Sequence, residues 1–215
     1  MTSKLQQWIA GQARPDQSSV TVLPIRPSDV NLLTQMHQRL SPASVYARFL
    51  QCRSPSVDEL RALCFLRAER GAGLVATLQQ EHEIIVGLAY YVREMYTPTL
   101  TAELGILVED QFQGQGIGRR LWQQVHCHAQ RNQVRQLRVL CAPNNHRMLH
   151  LLHTSDFACQ AHMSDELIEY LVALDEGPQP TKRRAYPLGQ SIRIWGAASK
   201  PRPVNTGPWL RRCQP

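Results

Sequence analysis

The chain has 215 residues, of which 43% are hydrophobic, so its length and composition allow one domain with a core of its own. Its formal net charge of +7 favours anionic partners but does not choose between a phosphorylated cofactor, nucleic acid and a membrane surface. The six cysteines form no CxxC pair, which argues against a zinc ribbon and a disulfide framework. The first residues lack the apolar core of a secretory signal, and no segment approaches the about 18 apolar residues of a membrane span. The sequence therefore predicts a soluble cytoplasmic protein.

The amino-terminal third predicts a loose arm, a strand and three helices. Residues 1–20 are polar and carry no sustained period, and a short strand follows at residues 22–25. Ser28 is the expected cap of a first helix. Ser41, with a proline after it, predicts the start of a second helix, and Ser56, with a glutamate three positions later, forms the capping-box pattern of a third.

Strands dominate the next part of the chain. Residues 73–78 and 84–92 flank a polar stretch and predict a hairpin. In residues 99–108 the apolar side chains fall at even positions, which is typical of a strand buried on one face. After a glycine-rich loop, the patterns predict a helix through Leu121, Val125 and Ala129, a strand at 137–141, a helix at 145–153 and a closing hairpin at 157–174. Residues 21–175 are therefore expected to form one mixed α+β domain.

The composition changes after this domain. Residues 176–215 are rich in proline, lysine and arginine, and we expect a tail that builds no core of its own. A contact with nucleic acid or an acidic protein is the alternative, although runs of basic residues are usually solvated.

A glycine-rich loop between the strand ending at Val108 and the next helix carries the main functional signal. Its residues are Gln113, Gly114, Gln115, Gly116, Ile117 and Gly118, with Arg119 following. Glycines let the backbone approach a phosphate, and a helix amino terminus directs unpaired N–H groups at it. The G-x-G-x-G spacing fits neither a Walker loop nor a dinucleotide fingerprint. A glycine turn that binds nothing remains the alternative.

The spacing Gln113-x-x-Gly116-x-Gly118 resembles the Q/R-x-x-G-x-G/A signature of the GNAT superfamily of N-acetyltransferases. Residues 145–148 followed by Phe157 are similar to the downstream N-x-x-M … G-F segment of that family. The openings at residues 24–29 and 40–49 are similar to the GNAT domain of bacterial Pat-type protein lysine acetyltransferases.

This resemblance covers residues 22–174 and implies both a fold and an activity. The fold would be a mostly antiparallel twisted sheet of six or seven strands with about four helices. The activity would be transfer of an acetyl group from acetyl-CoA to a small-molecule amine or a protein lysine, without a metal.

Glu103 is the candidate general base. It interrupts an otherwise neutral strand, and it matches the glutamate that serves as the base in the Pat-type pattern A-E-x-x-x-x-V, directly or through water. A solvated strand carboxylate is the alternative. Glu109 and Asp110, which lie nearer the loop, are interpreted as turn residues.

The resemblance also implies that the main chain of Leu107 and Val108 pairs with the pantetheine arm, and that Asn145 helps to hold the pantetheine or phosphate region. Asn144 is the alternative to Asn145, and a helix cap is the simpler role for either one. Two positions depart from the family. Leu152 stands where many members have a tyrosine general acid, with His153 beside it as a weak substitute, and Asp156 replaces the glycine of the G-F segment. These departures leave a non-catalytic acyl-CoA sensor as a second hypothesis.

Histidines cluster on two predicted helices. His146, His150 and His153 share one helical face, and His126 and His128 flank a cysteine on the preceding helix. Imidazole and thiolate bind zinc, but the spacing is not that of a closed site, so we expect solvated helix faces and no metal. The sequence gives no indication of oligomeric state.

Overall fold

The computed structural model describes residues 20–79, 81–94, 100–155, 157–164 and 167–174. The predicted arm through residue 19 and the basic tail lie outside the described residues. The seven strands are β1 Val20–Pro24, β2 Gly71–Gln79, β3 Glu83–Arg93, β4 Thr101–Val108, β5 Gln136–Cys141, β6 Cys159–Met163 and β7 Ile168–Ala173. The five α-helices are α1 Val30–Gln38, α2 Pro42–Phe49, α3 Val57–Cys64, α4 Ile117–Arg131 and α5 His146–His153.

All seven strands form one sheet in the order β1-β2-β3-β4-β5-β7-β6. Every neighbouring pair is antiparallel except β4 and β5, which are parallel. The predicted mixed fold with a mostly antiparallel sheet of six or seven strands is therefore confirmed. The described part of the chain has the five helices that the sequence patterns predict, one more than the family resemblance implies.

The helix starts follow from local capping chemistry. Ser41 Oγ accepts the N–H of Ser44 at 3.2 Å at the start of α2, and Ser56 and Glu59 form the predicted capping box of α3. The predicted cap of α1 by Ser28 is wrong. A 3-10 turn at Pro27–Asp29 precedes α1 and puts Asp29, not Ser28, at the N-cap position. Ser28 lies inside the turn, where its hydroxyl donates to the Asp29 carboxylate at 3.5 Å, and the same carboxylate accepts the N–H of Arg26 at 2.7 Å.

Helices cover both faces of the central strands. On one face, Leu104 and Ile106 of β4 pack with the buried face of α4, and on the other face Leu107 packs with α1 and α3. The prediction that β4 is buried on one face only is therefore wrong. The pattern misled because the odd positions of β4 include Gly105, which is buried but carries no apolar side chain.

A buried ion pair fastens the end of β4 to α1. Glu109 directly follows β4, and its side chain is 3% exposed. Its carboxylate accepts from the Arg39 guanidinium at 2.8 and 3.0 Å and from Gln111 Nε2 at 2.7 Å, while Arg39 also donates to the Ile85 carbonyl. Glu109 therefore holds the fold together at this point, which agrees with its interpretation as a turn residue.

We expect Arg39→Met to lower the free energy of unfolding by about 3 kcal/mol, because it leaves the Glu109 carboxylate buried without its cation. Urea titration followed by circular dichroism measures the change. Arg61→Met is the matched control, since the Arg61–Asp58 pair is exposed and its loss should cost less than about 1 kcal/mol. Equal losses in the two variants would contradict the structural role of Arg39.

Candidate active site

The two central strands separate beside Glu103. The parallel register of β4 and β5 covers only Thr101 to Glu103 opposite Gln136 to Arg138. Beyond this point β4 continues to Val108 while β5 pairs only with β7. We call the space between β4 and β5 beyond Glu103 the strand gap.

The main chain of β4 directs hydrogen-bonding groups into the strand gap. In an antiparallel ladder, alternate residues exchange both main-chain bonds with the partner strand. The Glu109 N–H bonds to Val86 and the Glu94 N–H to Thr101, so the odd positions of β4, Leu107 included, face β3. Ile106 and Val108 consequently direct their N–H and C=O groups toward the strand gap.

The glycine loop (residues 113–118) lies at the far end of β4. Gly114 and Gly116 have φ angles of 75° and 78°, which only glycine adopts without strain, and an added Cβ at either position would meet no atom within 4 Å. Gly118 has an ordinary φ, and its nearest neighbour would be Val108 Cγ2 at 3.8 Å. No atom of the described chain lies within 4 Å of a Cβ built at Gly114 or Gly116, so the loop presents an open surface there.

This surface suits an anion. The 15-residue helix α4 starts at Ile117, has no side-chain cap and carries no acidic residue in its first turn. Its first N–H groups, from Ile117, Gly118 and Arg119, have no partner within the helix, and the helix dipole makes this end partly positive. Arg119 is exposed and adds a full positive charge.

The two glutamines of the glycine loop hold it in shape. Gln113 Nε2 donates to the Val108 carbonyl at 2.8 Å and to Ser44 Oγ at 3.1 Å, and Gln115 Nε2 donates to the Gln111 carbonyl at 3.0 Å. These side chains are thus bonded within the protein, which leaves the main chain of the loop to contact a ligand.

Asp110 ties the turn before the loop to the start of α2. Its carboxylate accepts the N–H of Ser41 at 2.9 Å and the hydroxyls of Ser41 and Ser44 at 2.7 Å each. Partial burial alone would raise the pKa of Asp110, but these hydrogen bonds outweigh it and hold the pKa below its ordinary value.

Glu103 lies in a cleft between the sheet and the helices α1 to α3, which we call the Glu103 cleft. Glu103 itself is half-buried. The walls of the Glu103 cleft are apolar and aromatic for the most part, with a few charged groups. The residues that line it besides Glu103 are His37, Arg48, Phe49, Leu50, Gln51, Arg53, Pro55, Glu59, Leu60, Leu63, Leu88, Tyr90, Leu104 and Leu140.

Sequence reasoning missed the roles of Arg48 and Tyr90 in this cleft. The Arg48 guanidinium donates to Tyr90 Oη and lies 5.0 Å from the centre of the Tyr90 ring. Burial raises the pKa of Tyr90, and the nearby Glu103 carboxylate acts in the same direction while Arg48 opposes it. The Tyr90 hydroxyl therefore keeps its proton at neutral pH. Gly105, the smallest residue of β4, was the available signal that a large side chain crosses the strand there.

Carboxylates gather next to Glu103 around a buried cation. Arg138, opposite Glu103 in the register, pairs with Glu94 at 2.6 Å and with Glu169 at 3.6 Å. Burial raises the pKa of Glu94, Arg138 lowers it, and Glu103 and Glu169 raise it. These three carboxylates and one guanidinium make the surroundings of Glu103 on this side acidic on balance, which favours a cationic group such as an ammonium.

Asn145 is used within the fold. Its Oδ1 accepts the N–H of Met148 at 3.1 Å and caps α5, and its Nδ2 donates to the Ala47 carbonyl at 3.2 Å. The simpler role that the sequence allowed, a helix cap, is the one that the structure shows. The alternative residue, Asn144, is exposed.

The remaining candidates lie away from the cleft. Leu152 is buried in the core against α4, and His153 bonds to the Tyr170 hydroxyl at 3.1 Å. Asp156 lies outside the described residues. The expectation of solvated histidines holds for His146 and His150 but is wrong for His126, which is buried against Phe157 with ring centres 3.9 Å apart.

In the described ranges, no three His, Cys, Asp or Glu side chains converge as a metal site would require. None of the described helices combines the length and apolar composition of a membrane span.

The chain is similar in sequence to an acetyltransferase family and in fold to solved acetyltransferase structures. The Acetyltransferase (GNAT) family model matches residues 34–157, more than half of the chain. No curated protein sequence matches that of the chain. The GNAT domain of PAT from S. lividans is 21% identical, with a TM-score of 0.63 over 71% of this chain and 89% of that one.

Two further solved structures carry ligands. A putative acetyltransferase from Salmonella typhimurium, solved with acetyl-CoA, is 19% identical, with a TM-score of 0.58 over 76% of this chain and 98% of that one. The spermidine N-acetyltransferase of Vibrio cholerae, solved with CoA and spermine, is 16% identical, with a TM-score of 0.58 over 74% and 98%. At these identities the likeness establishes the fold.

We expect Asp110→Asn to lower the free energy of unfolding by about 1 kcal/mol at pH 7, because a neutral amide accepts weaker hydrogen bonds than a carboxylate. Since the folded pKa of Asp110 lies below the unfolded value of about 3.8, the stabilisation is complete above that value and is lost as pH falls through the folded pKa. Urea titrations of both proteins between pH 3 and pH 7 should show curves that converge in acid. Asp58→Asn is the control, because the Asp58 side chain is 88% exposed. A difference that stays constant with pH would contradict this origin.

Proposed function

Because the chain belongs to the GNAT family of acetyltransferases, we propose that it transfers the acetyl group of acetyl-CoA to a primary amine, with Glu103 as the general base. The observation that supports this most directly is the arrangement along β4. A half-buried carboxylate in a cleft stands at the start of the strand gap, and the open glycine loop lies at the other end of the same strand. We propose residues 21–175 as the catalytic domain.

The chain offers main-chain groups that fit acetyl-CoA. The N–H groups of residues 114–119 would bind the pyrophosphate, since the space that a Cβ would fill at Gly114 and Gly116 is open. Arg119 would add charge. Ile106 and Val108, whose main-chain groups face the strand gap, would hold the pantetheine arm, and they replace Leu107 in that role because its main chain faces β3.

The acceptor amine must lose a proton before it can attack, and Glu103 can take that proton. A primary amine with a pKa near that of lysine, about 10.4, is almost fully protonated at neutral pH and cannot attack a carbonyl in that form. Acetyl-CoA supplies the activated acyl group when it is bound. Glu103 lies where β4 and β5 part, so an amine in the Glu103 cleft can give its proton to this carboxylate beside the strand gap.

Tyr90 supports the same chemistry. Leu152, in the position of the tyrosine acid of many family members, is buried in the core and has no proton to give. Tyr90 lines the cleft, keeps its proton, and accepts from Arg48 through its oxygen, so that its own O–H remains free to donate into the cleft.

We expect Glu103→Gln to lower kcat about 100-fold and to leave the Kd for CoA within about twofold, because it removes the base without changing the glycine loop. Stopped-flow or steady-state release of the CoA thiol, with mass spectrometry of the N-acetylated product, measures the first effect, and calorimetry measures the second. Glu83→Gln, a half-buried glutamate at the start of β3, is the matched control.

Two outcomes would count against this proposal. Unchanged turnover in the Glu103→Gln variant would remove Glu103 from the mechanism. Saturable CoA binding by the unaltered protein with no product from any amine would instead favour the acyl-CoA sensor.

We expect Gly116→Asp to weaken CoA binding at least tenfold, because it sets a carboxylate beside the proposed pyrophosphate position. Asn and Asp adopt positive φ with similar ease, so Gly116→Asn carries the same backbone strain without the charge. Calorimetry with CoA on the two variants separates charge from strain. Equal affinities would place the phosphates elsewhere on the protein.

A further inference from the structure

The Arg48 side chain has a defined position in the Glu103 cleft. It lies near the end of α2, crosses β4 at Gly105, and donates to the Tyr90 hydroxyl of β3. A Cβ at position 105 would overlap the guanidinium, so glycine is required there for Arg48 to reach this position. Its charge is also 5.3 Å from the centre of the Phe49 ring. The sequence and fold together therefore place a cation at one fixed point of the cleft.

Within the described residues, no carboxylate forms an ion pair with Arg48. The other arginine of the cleft, Arg53, donates to both oxygens of Glu59 at 3.1 Å and holds the pKa of that carboxyl at about 2. His37 adds no charge at neutral pH, because burial lowers its pKa. Arg48 Nε is buried without a hydrogen-bond partner. A half-buried cation in this state gains free energy when an anion binds beside it.

Glu103 provides the opposite charge in the same cleft. Glu103 and Gly105 lie on one face of β4, so Arg48 crosses the strand at a point about 7 Å along it from Glu103. The walls between and above them are apolar, with Phe49, Leu63 and Leu88 among them. The cleft thus presents one anionic and one cationic point a short distance apart, with apolar surface around them.

We propose that the acceptor is an amino acid with a free carboxylate and an apolar side chain, bound with its carboxylate on Arg48 and its amine at Glu103. This inference rests on the proposed acetyl transfer and specifies its substrate class. In the step itself, the amine nitrogen forms a bond to the acetyl carbon, the carbon–sulfur bond of the thioester breaks, and the amine proton passes to Glu103. A lysine side chain in a protein carries no carboxylate next to its amine, so it lacks the group that Arg48 would bind.

Matched acceptors that differ only in the carboxylate test this proposal. The panel is L-leucine, L-leucinamide and 3-methylbutylamine, the corresponding set built on L-phenylalanine, and a lysine-containing peptide, each with saturating acetyl-CoA. We expect kcat/KM for the free amino acids to exceed that for the amides about 100-fold, the range for a charge pair with a desolvated arginine. The α-amine of an amino acid amide is less basic than that of the free amino acid, so a preference set by deprotonation alone would favour the amide.

Variants then assign the preference to Arg48. In Arg48→Met the ratio of amino acid to amide should fall to about 1 while the Kd for CoA stays unchanged. Arg61→Met, the control at an exposed arginine outside the cleft lining, should keep the full ratio. If Arg48→Met does not fold, Gly105→Ala moves the guanidinium off β4 with the charge retained and should reduce the ratio as well. The Kd for CoA reports on folding in each variant.

The outcomes separate the two levels of the proposal. Amides, simple amines or the lysine peptide that react as well as the amino acids would overturn the substrate class and leave acetyl transfer standing. A ratio that survives in Arg48→Met would also overturn it. Absence of acetylated product from every acceptor would overturn acetyl transfer itself.

Discussion

The site depends on one constraint, which is that the parallel pairing of β4 with β5 stops at Glu103. After Glu103 and Arg138 the two strands no longer bond to each other, although β4 lies in the middle of the sheet. An unpaired main-chain group in the centre of a protein is unfavourable unless a partner satisfies it. The Val108 carbonyl has one within the chain, the amide of Gln113. The remaining groups of Ile106 and Val108 form a short free edge that an extended ligand can complete.

A small number of polar contacts keep the separated end of β4 in place. The Glu109–Arg39 ion pair joins it to α1, and Asp110 joins the following turn to the serines at the start of α2. Because Gln113 bonds to both β4 and Ser44, the glycine loop is tied to the same helix. The Glu103 cleft, the strand gap and the glycine loop are consequently parts of one connected structure, and a shift of α2 would move all three.

The sequence predicts the features that depend on neighbouring residues and misses those that depend on packing. The caps at Ser41 and Ser56, the hairpins and the glycine loop follow from local chemistry, and the structure has them. Asn145 shows the limit, since a capping asparagine and a ligand-binding one look alike in sequence, and the structure is needed to show the cap through the bonds to Met148 and Ala47. The burial of β4 on both faces depends on helices far along the chain, and that of His126 depends on Phe157, and periodicity reveals neither.

The fold that this chain shares with its relatives does not specify the acceptor, because function resides in the side chains placed on the fold. In this chain, the informative pair is a glycine in a central strand and an arginine near the end of a helix. Glycine weakens a strand interior, so its presence at position 105 has a cost in stability, and it leaves open the space that the Arg48 guanidinium occupies. The Arg48 guanidinium is held near Glu103, and among the described residues no carboxylate pairs with it. It is therefore in a position to select among amines. In the proposed mechanism, the carboxylate of Glu103 makes amines reactive in general, and Arg48 restricts which amines reach it.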